Sequence, residues 1–210
     1  MTRFRDRADA GRRVAALLGG LGLEDPVVLG LPRGGVPIAA EIAAALGVPF
    51  DVLAARKVGL PGQEELGIAA VAEGLPEPVL SPAGEALGTG LAGMEGLAER
   101  ARAELSRRAD RYRGGRPLPE VTGRDVVVAD DGLATGVTAE AALRALRPRH
   151  PRRLVLAVPV CPADTRARLA TVADDVVCVI APWDFTAVGE WYDDFAQLTD
   201  DDVLRLLGRG

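Results

Sequence analysis

The stretch from residue 124 to residue 147 changes its hydrophobic period once, and this change constrains the fold more than any other feature of the chain. Val126 to Ala129 is a short, continuous apolar run, which predicts a buried strand. Apolar residues then recur at i, i+3, i+4 and i+7, which predicts one face of a helix. These residues are Ala139, Ala142, Leu143 and Leu146. A buried strand that runs directly into a helix is the basic unit of a parallel α/β sheet.

The turn between this strand and this helix carries the chemistry. Asp130 and Asp131 come first, and a Gly- and Thr-bearing turn follows over 132–138. Such a turn aims backbone N–H groups and the positive end of a helix at one point, which is a ready phosphate site. Paired carboxylates accept hydrogen bonds from vicinal hydroxyls or hold a hydrated Mg²⁺. The turn therefore predicts a ribose 5-phosphate site; an ordinary Thr-capped turn would explain its glycines and threonines but not its paired acids.

A second loop of the same kind follows the strand predicted over 26–31. Gly34 and Gly35 let the backbone approach an anion closely, and Arg33 offers a bidentate contact to it. This loop matches neither the Walker A pattern nor the GxGxxG dinucleotide pattern. A further strand over 48–55 ends at Arg56 and Lys57.

The remaining apolar periods alternate between strands and helices. Strands are predicted over 67–72, 153–158 and 175–180, and helices over 5–18, 38–46 and 163–170. This alternation predicts a doubly wound, mainly parallel α/β sheet flanked by helices, with its ligands at the carboxyl ends of the strands. We expect residues 1–210 to form a single domain.

Some segments depart from this alternation. Residues 58–65 are polar and contain Gly and Pro, which predicts a mobile loop, and residues 75–96 read as a loop or poorly ordered segment. Residues 94–113 predict a charged helix, so that 75–117 forms a loop-plus-helix insertion. Residues 182–210 follow the last predicted strand as a C-terminal segment, which is called the hood below.

The hood concentrates the aromatic residues. Five of the eight aromatic side chains fall between 183 and 195, in a chain with two Trp, two Tyr and four Phe. They either pack against the sheet or, in the case of Trp183 and Phe185, stack on a planar ligand. Trp191 and Tyr192 are candidates for a structural role.

Composition excludes several classes of function. The net charge of −5 argues against a general nucleic-acid binder. No apolar run reaches the roughly 18 residues of a membrane span, and the N-terminus lacks an apolar signal stretch. Two cysteines in apolar surroundings predict free buried thiols, so we expect a cytoplasmic protein with no membrane partner. Of the 25 basic residues all but Lys57 are Arg, which favours a need for a compact ammonium at that position over chance.

The segment VVVADDGLATGVT resembles the 13-residue phosphoribosyl-pyrophosphate signature of the type I phosphoribosyltransferases. The chain also resembles a bacterial subgroup of that family. This resemblance extends along nearly the whole chain, through the segments FxDRxDAGR, GLPRGG, RK, AVAEG, YRGGRP and AVGEWYDDF. It implies transfer of ribose 5-phosphate from phosphoribosyl pyrophosphate to a nitrogen heterocycle, with Mg²⁺ as cofactor and release of pyrophosphate. A homodimer is an expected assembly.

The resemblance also implies roles for individual residues. Catalytic roles fall to Arg33, Lys57, Asp130 and Asp131, and the two acids would hold the metal directly or through water. The pyrophosphate would lie on Gly34 and Gly35 and the 5-phosphate on Thr135, Gly136, Val137 and Thr138, and Ala134 would also line the substrate site. The hood residues Trp183 and Phe185 would cover the acceptor base.

One departure from the family pattern bears on the acceptor. Enzymes for 6-oxopurines usually carry an Asp where this chain has Ala134, which makes a hypoxanthine or guanine acceptor less expected and leaves adenine, orotate, uracil and others open. Two alternatives to a transferase also remain. One is a regulatory protein that binds the donor without turnover, and the other is a hydrolase that uses the same ribose 5-phosphate site.

Overall fold

The computed structural model describes residues 3–60, 63–87 and 95–209, with the side chains of 63–66 and 95 excepted. The strands are β1 (Val27–Gly30), β2 (Phe50–Val52), β3 (Ala55–Leu60), β4 (Gln63–Ala72), β5 (Val79–Leu80), β6 (Asp125–Ala129), β7 (Arg153–Val160) and β8 (Asp175–Ile180). The helices are α1 (Arg7–Leu18), α2 (Gly35–Leu46), α3 (Pro82–Ala86), α4 (Glu95–Arg113), α5 (Val137–Leu146), α6 (Ala163–Leu169) and α7 (Asp200–Leu206).

The central sheet has five parallel strands in the order β2-β1-β6-β7-β8. Successive residues of a strand point to opposite faces. Val126 and Val128 therefore pack with α5 and α6, whereas Val127 and Ala129 pack with α1 and α2. Because both faces are covered, β6 is apolar throughout, as parallel strands are. The predicted doubly wound fold is confirmed.

The register of the central strands sets the position of the loops. Gly30 lies opposite both Val52 and Ala129, so β1, β2 and β6 end at almost the same level. The turns that follow β1 and β6 therefore begin side by side at the carboxyl edge of the sheet.

A second, antiparallel sheet in the order β3-β4-β5 was not predicted. The run 67–72 belongs to β4 of this sheet and not to the parallel core, and Lys57 lies within β3 instead of after a core strand. One face of the sheet packs on α4 and the other on α5. Since both faces are buried, the apolar run 67–72 looks the same in sequence as a core strand.

In two irregular segments, the sequence pattern predicted less regular structure than the protein has. In 58–65, predicted as a mobile loop, residues 58–60 and 63–65 belong to the β3–β4 hairpin, and residues 61–62 lie outside the described part. In 75–96, β5 and α3 are present, and residues 88–94 lie outside the described part. Ser81 begins α3: its hydroxyl accepts from Gly84 N at 3.1 Å and donates to Gly67 O at 2.7 Å.

The C-terminal segment contains α7, which the sequence pattern did not reveal. Thr199 and Asp202 form a capping box at its start. Within the described ranges, no helix combines the length and apolarity required to cross a membrane.

Candidate functional site

The backbone of the loop after β1 passes directly over the acid pair that follows β6. A Cβ atom placed on Gly34 would lie 2.0 Å from Asp131 Oδ2, and one on Gly35 would lie 2.3 Å from Ala129 O. Both distances are well inside van der Waals contact, so these two positions require glycine. The two loops that the sequence predicted to bind ligands therefore lie against each other. The peptide bond between Pro32 and Arg33 is cis.

The acid pair is half-buried, and the positive charges of Arg7 and Lys57 only partly offset the cost of its burial. Burial raises the pKa of Asp130 well above its usual value, and the neighbouring charge of Asp131 raises it further. Burial also raises the pKa of Asp131, while the positive charges of Arg7 and Lys57 act in the opposite direction. A ligand that brought hydrogen-bond donors or a cation to this pair would relieve the cost of its burial.

Two residues that sequence reasoning did not assign to the site hold Asp131 from behind. Arg7 Nε donates to Asp131 Oδ2 at 2.8 Å, and the Tyr192 hydroxyl donates to the Asp131 carbonyl at 2.5 Å. Burial raises the pKa of Tyr192, which keeps this donor protonated. Arg7 falls within the FxDRxDAGR segment of the resemblance, but spacing alone could not reveal a partner 124 positions away.

The turn from β6 into α5 is shaped from its far side by α6. The Thr165 hydroxyl donates to Ala134 O at 2.9 Å, and Arg168 donates to Thr135 O and pairs with Glu140. Gly136 begins α5 with φ at 66° and no side-chain cap. The first amides of a helix have no intrahelical partner, so those at Val137 and Thr138 are available to an anion.

The basic residues predicted to face the pyrophosphate occupy different surroundings. Arg33 is partly exposed, and its Nη1 lies 4.0 Å from Asp200 Oδ1, a carboxylate that also accepts from Tyr112 at 2.5 Å. Lys57 projects from β3 with its side chain exposed. Its charge nevertheless lowers the pKa of both acids, so it lies within electrostatic reach of them. Lys57 thus lies near the acid pair although it belongs to the second sheet.

The aromatic residues of the hood divide into two groups. Trp183 is 91% exposed, whereas Trp191 is 7% and Tyr192 2% exposed. Trp183 is therefore not a core residue. Together with Phe185 it lines a cleft of about 500 Å³, whose other walls include Ala134 and Thr135 of the turn.

The sole histidine and the two cysteines do not have the surroundings of reactive groups. His150 is exposed in the turn before β7. Cys161 and Cys178 are free thiols; burial raises the pKa of Cys161 to about 12 and that of Cys178 to about 11. At neutral pH both are therefore protonated and poor nucleophiles.

Comparison with known proteins shows the family to which the chain belongs. The family model described as the phosphoribosyl transferase domain matches residues 5–194. The chain belongs to this family. The resemblance read from the sequence is confirmed, and the assignment supports the prediction of a transferase.

Relatives of this phosphoribosyl transferase domain are known from bacteria. Two Mycobacterium tuberculosis proteins, provisionally named phosphoribosyl transferases, are 44% identical over 209 residues, which cover 100% of this chain and 47% of theirs. The chain thus spans about half the length of these curated relatives. A Thermus thermophilus protein of known crystal structure is 50% identical, with a TM-score of 0.81 and coverage of 98% of this chain and 97% of that one. An Aquifex aeolicus structure shares the fold at 14% identity, with a TM-score of 0.53 and coverage of 82% and 73%.

The acid pair of this phosphoribosyl transferase domain also fits a hydrated Mg²⁺. Across residues 3–60, 63–87 and 95–209, no three His, Cys, Asp or Glu side chains cluster as metal ligands. Mg²⁺ usually takes one or two carboxylates and completes its shell with water and substrate phosphate oxygens. Asp130 and Asp131, with their surplus negative charge, match that requirement.

Proposed function

We propose that this protein is a phosphoribosyltransferase that moves ribose 5-phosphate from phosphoribosyl pyrophosphate to a ring nitrogen of a heterocyclic acceptor and releases pyrophosphate. The observation that carries the proposal is the close approach of the Gly34 backbone to the Asp131 carboxylate. It brings an anion loop and a hydroxyl-binding acid pair within one ligand's length at the end of the sheet.

The donor is bound in three parts. The 5-phosphate lies at the start of α5, on the amides from Thr135 to Thr138, where the helix dipole favours an anion. Asp130 and Asp131 accept hydrogen bonds from the ribose hydroxyls. The pyrophosphate lies on the amides of Gly34 and Gly35.

The leaving group is stabilised by positive charge. Arg33 in the loop and Lys57 on β3 neutralise the charge that develops on pyrophosphate as its bond to ribose C1 breaks. Mg²⁺ held by Asp130 and Asp131, directly or through water, would add positive charge near the leaving pyrophosphate. The acceptor nitrogen forms the new bond to C1 from the opposite face, and its proton passes to solvent.

The acceptor lies in the cleft between the turn and the hood. Trp183 and Phe185 provide aromatic surface there, and Ala134 and Thr135 place this surface next to the ribose site. Base–aromatic stacking contributes on the order of 1–3 kcal/mol per base. The exposure of Trp183 leaves its ring free for that contact.

A pyrophosphate-release assay with the donor, Mg²⁺ and a panel of bases tests the reaction. Release that depends on one base supports the transferase. Release without any base would indicate a hydrolase, and tight donor binding without release would indicate a sensor. Either of the last two outcomes would overturn the proposal.

Replacement of the acids tests the donor site. The Asp130→Asn/Asp131→Asn double variant should lose most of its affinity for donor plus Mg²⁺ in calorimetric titration while it remains folded. Asp193→Asn is the matched control, since Asp193 pairs with Arg3 on the surface at 3.6 Å. Wild-type donor affinity in the double variant would contradict the assignment.

A further inference from the structure

Helix α1 reaches the acid pair through one side chain, that of Arg7. Its Nε donates to Asp131 Oδ2 and its Nη1 to Ala196 O, both at 2.8 Å. Its guanidinium lies 3.9 Å from the centroid of the Phe195 ring. With both edges bonded and one flat face covered, the guanidinium has a single orientation, and only 12% of the side chain is exposed.

The two acids consequently differ. Asp131 is paired with a buried cation, and its carboxylate lies where a Gly34 side chain would otherwise be. Asp130 Oδ1 accepts from the Asp131 amide at 2.9 Å. In the part of the chain that the structure describes, no Arg or Lys nitrogen comes within salt-bridge distance of Asp130.

We propose that Arg7 is a positioning residue of the donor site: it fixes the Asp131 carboxylate beneath the Gly34 loop, so that of the two acids Asp130 makes the stronger contact with the ribose hydroxyls. This inference rests on the proposed function. Loss of Arg7 removes the counter-charge from Asp131 and lets that carboxylate turn. Because the Asp131 carboxylate lies against the Gly34 backbone, its rotation displaces the loop that receives the pyrophosphate.

A purely structural role of Arg7 has a different signature. Its contacts with Phe195 and Ala196 join α1 to the hood, and a staple of this kind would affect only the stability of the fold. The two roles separate when ligand binding and unfolding are measured on the same variants.

The experiment is a pair of double-mutant cycles, which isolate the interaction between two positions. Arg7→Gln is combined with Asp131→Asn in one cycle and with Asp130→Asn in the other. For each variant the dissociation constant of phosphoribosyl pyrophosphate, with and without Mg²⁺, is measured by calorimetry, and the stability by urea unfolding. Arg12→Gln is the control, since Arg12 lies on the same helix and pairs with Glu41 near the surface at 3.2 Å.

We expect Arg7→Gln to raise the donor dissociation constant about 10- to 100-fold, the factor for one charge-assisted hydrogen bond. Asp131→Asn should add little in the Arg7→Gln background, whereas Asp130→Asn should retain its full effect. Arg12→Gln should bind like the wild type, and Arg7→Lys should recover part of the affinity because it keeps the charge without the planar fork.

Three results would overturn the inference. Arg7→Gln with normal donor affinity but reduced stability would make Arg7 a structural staple. Equal coupling to both acids would remove the difference between them. A wild-type protein that binds no donor would overturn the proposed function and this inference with it, whereas normal wild-type binding with either of the first two results would overturn the inference alone.

Discussion

The two halves of the candidate site are built differently. In the acid half, Asp131 is held by Arg7 and Tyr192 and lies against Gly34. In the open half, Lys57 and Trp183 project from the second sheet and the hood with their side chains exposed. A rigid half lowers the entropic cost of binding, and an exposed half can adjust to its ligand. For the proposed transferase, this difference predicts that the ribose and Gly34 loop region is largely formed in advance, whereas the ligands complete the side that holds Lys57 and Trp183.

The difference follows from what lies behind each half. The acid half is backed by the cluster in which Phe4, Val127, Trp191 and Tyr192 meet the helices α1 and α2. The open half stands on elements added to the central sheet, from which the Lys57 and Trp183 side chains extend into solvent. Substitutions in the core behind the acid half should therefore lower stability, whereas substitutions in the open half should lower ligand affinity or turnover and leave the fold intact.

The largest effect is expected from Trp191→Ala. Trp191 is 7% exposed and packs in the cluster behind the acid half, so its truncation leaves a cavity. We expect a loss of about 3–5 kcal/mol in the free energy of unfolding, measured by urea denaturation. Trp191→Phe should cost less, since it also removes an indole N–H that has no partner in the described structure. A Trp191→Ala protein of wild-type stability would break the comparison.

The next largest effect is expected from Lys57→Ala, which should lower the rate of turnover. Loss of one preorganised charge at the leaving group costs about 10²- to 10³-fold in rate, read by single-turnover kinetics, with a smaller change in donor affinity. Lys57→Arg should recover only part of the rate, since the fork is larger and differently shaped. Arg56→Ala is the matched control, because the neighbouring Arg56 pairs with Glu104 instead. An unchanged rate in Lys57→Ala would make the lysine a surface residue.

Gly34→Ala compares the tolerance of the halves to added volume. The new methyl group would lie 2.0 Å from Asp131 Oδ2, so a shift of the loop or the acid is required. Overpacking of this kind costs about 1–3 kcal/mol, and donor affinity should fall with it in calorimetry. At Gly67, in the open half, a Cβ would lie 3.4 Å from Lys57 Cδ, which is ordinary contact. Equal stability of Gly34→Ala and Gly67→Ala would show that the acid half is not rigid.

Trp183→Ala should have the smallest effect and should leave the fold intact. Because the side chain is 91% exposed, thermal melting should stay at the wild-type value. The dissociation constant of the acceptor should rise roughly 5- to 150-fold, the factor for the loss of one stacking contact, while donor binding should not change. If acceptor affinity survives in the folded variant, the base site must lie elsewhere.

The sequence predicted the parallel sheet and both ligand loops because each leaves a local pattern. The run from Val126 to Ala129, the acids that follow it and the helical spacing that ends at Leu146 are continuous along the chain. The role of Arg7 could not be predicted in this way, because its partner is 124 positions away and no periodicity joins them.

The second sheet escaped prediction for another reason. The apolar residues from Gly67 to Ala72 are covered on both faces by α4 and α5, and a strand buried on both faces reads the same in a parallel or an antiparallel sheet. Within the hood, the sequence left Trp183 open between packing and stacking and gave Trp191 as a structural candidate; the structure has Trp183 exposed and Trp191 buried. Each distinction depends on tertiary packing and not on local pattern.

The bridge between Phe4 and Tyr192 has a consequence for the order of folding. Phe4 N donates to Trp191 O, and Asp193 N donates back to Phe4 O, each at 2.8 Å, so a segment near the start of the chain pairs with one near its other end. Contacts between residues so distant in sequence form slowly, and synthesis delivers the N-terminal partner long before the C-terminal one. We therefore expect the acid pair to acquire Arg7 and Tyr192 late in folding. During refolding, recovery of donor binding should lag behind recovery of helical circular dichroism.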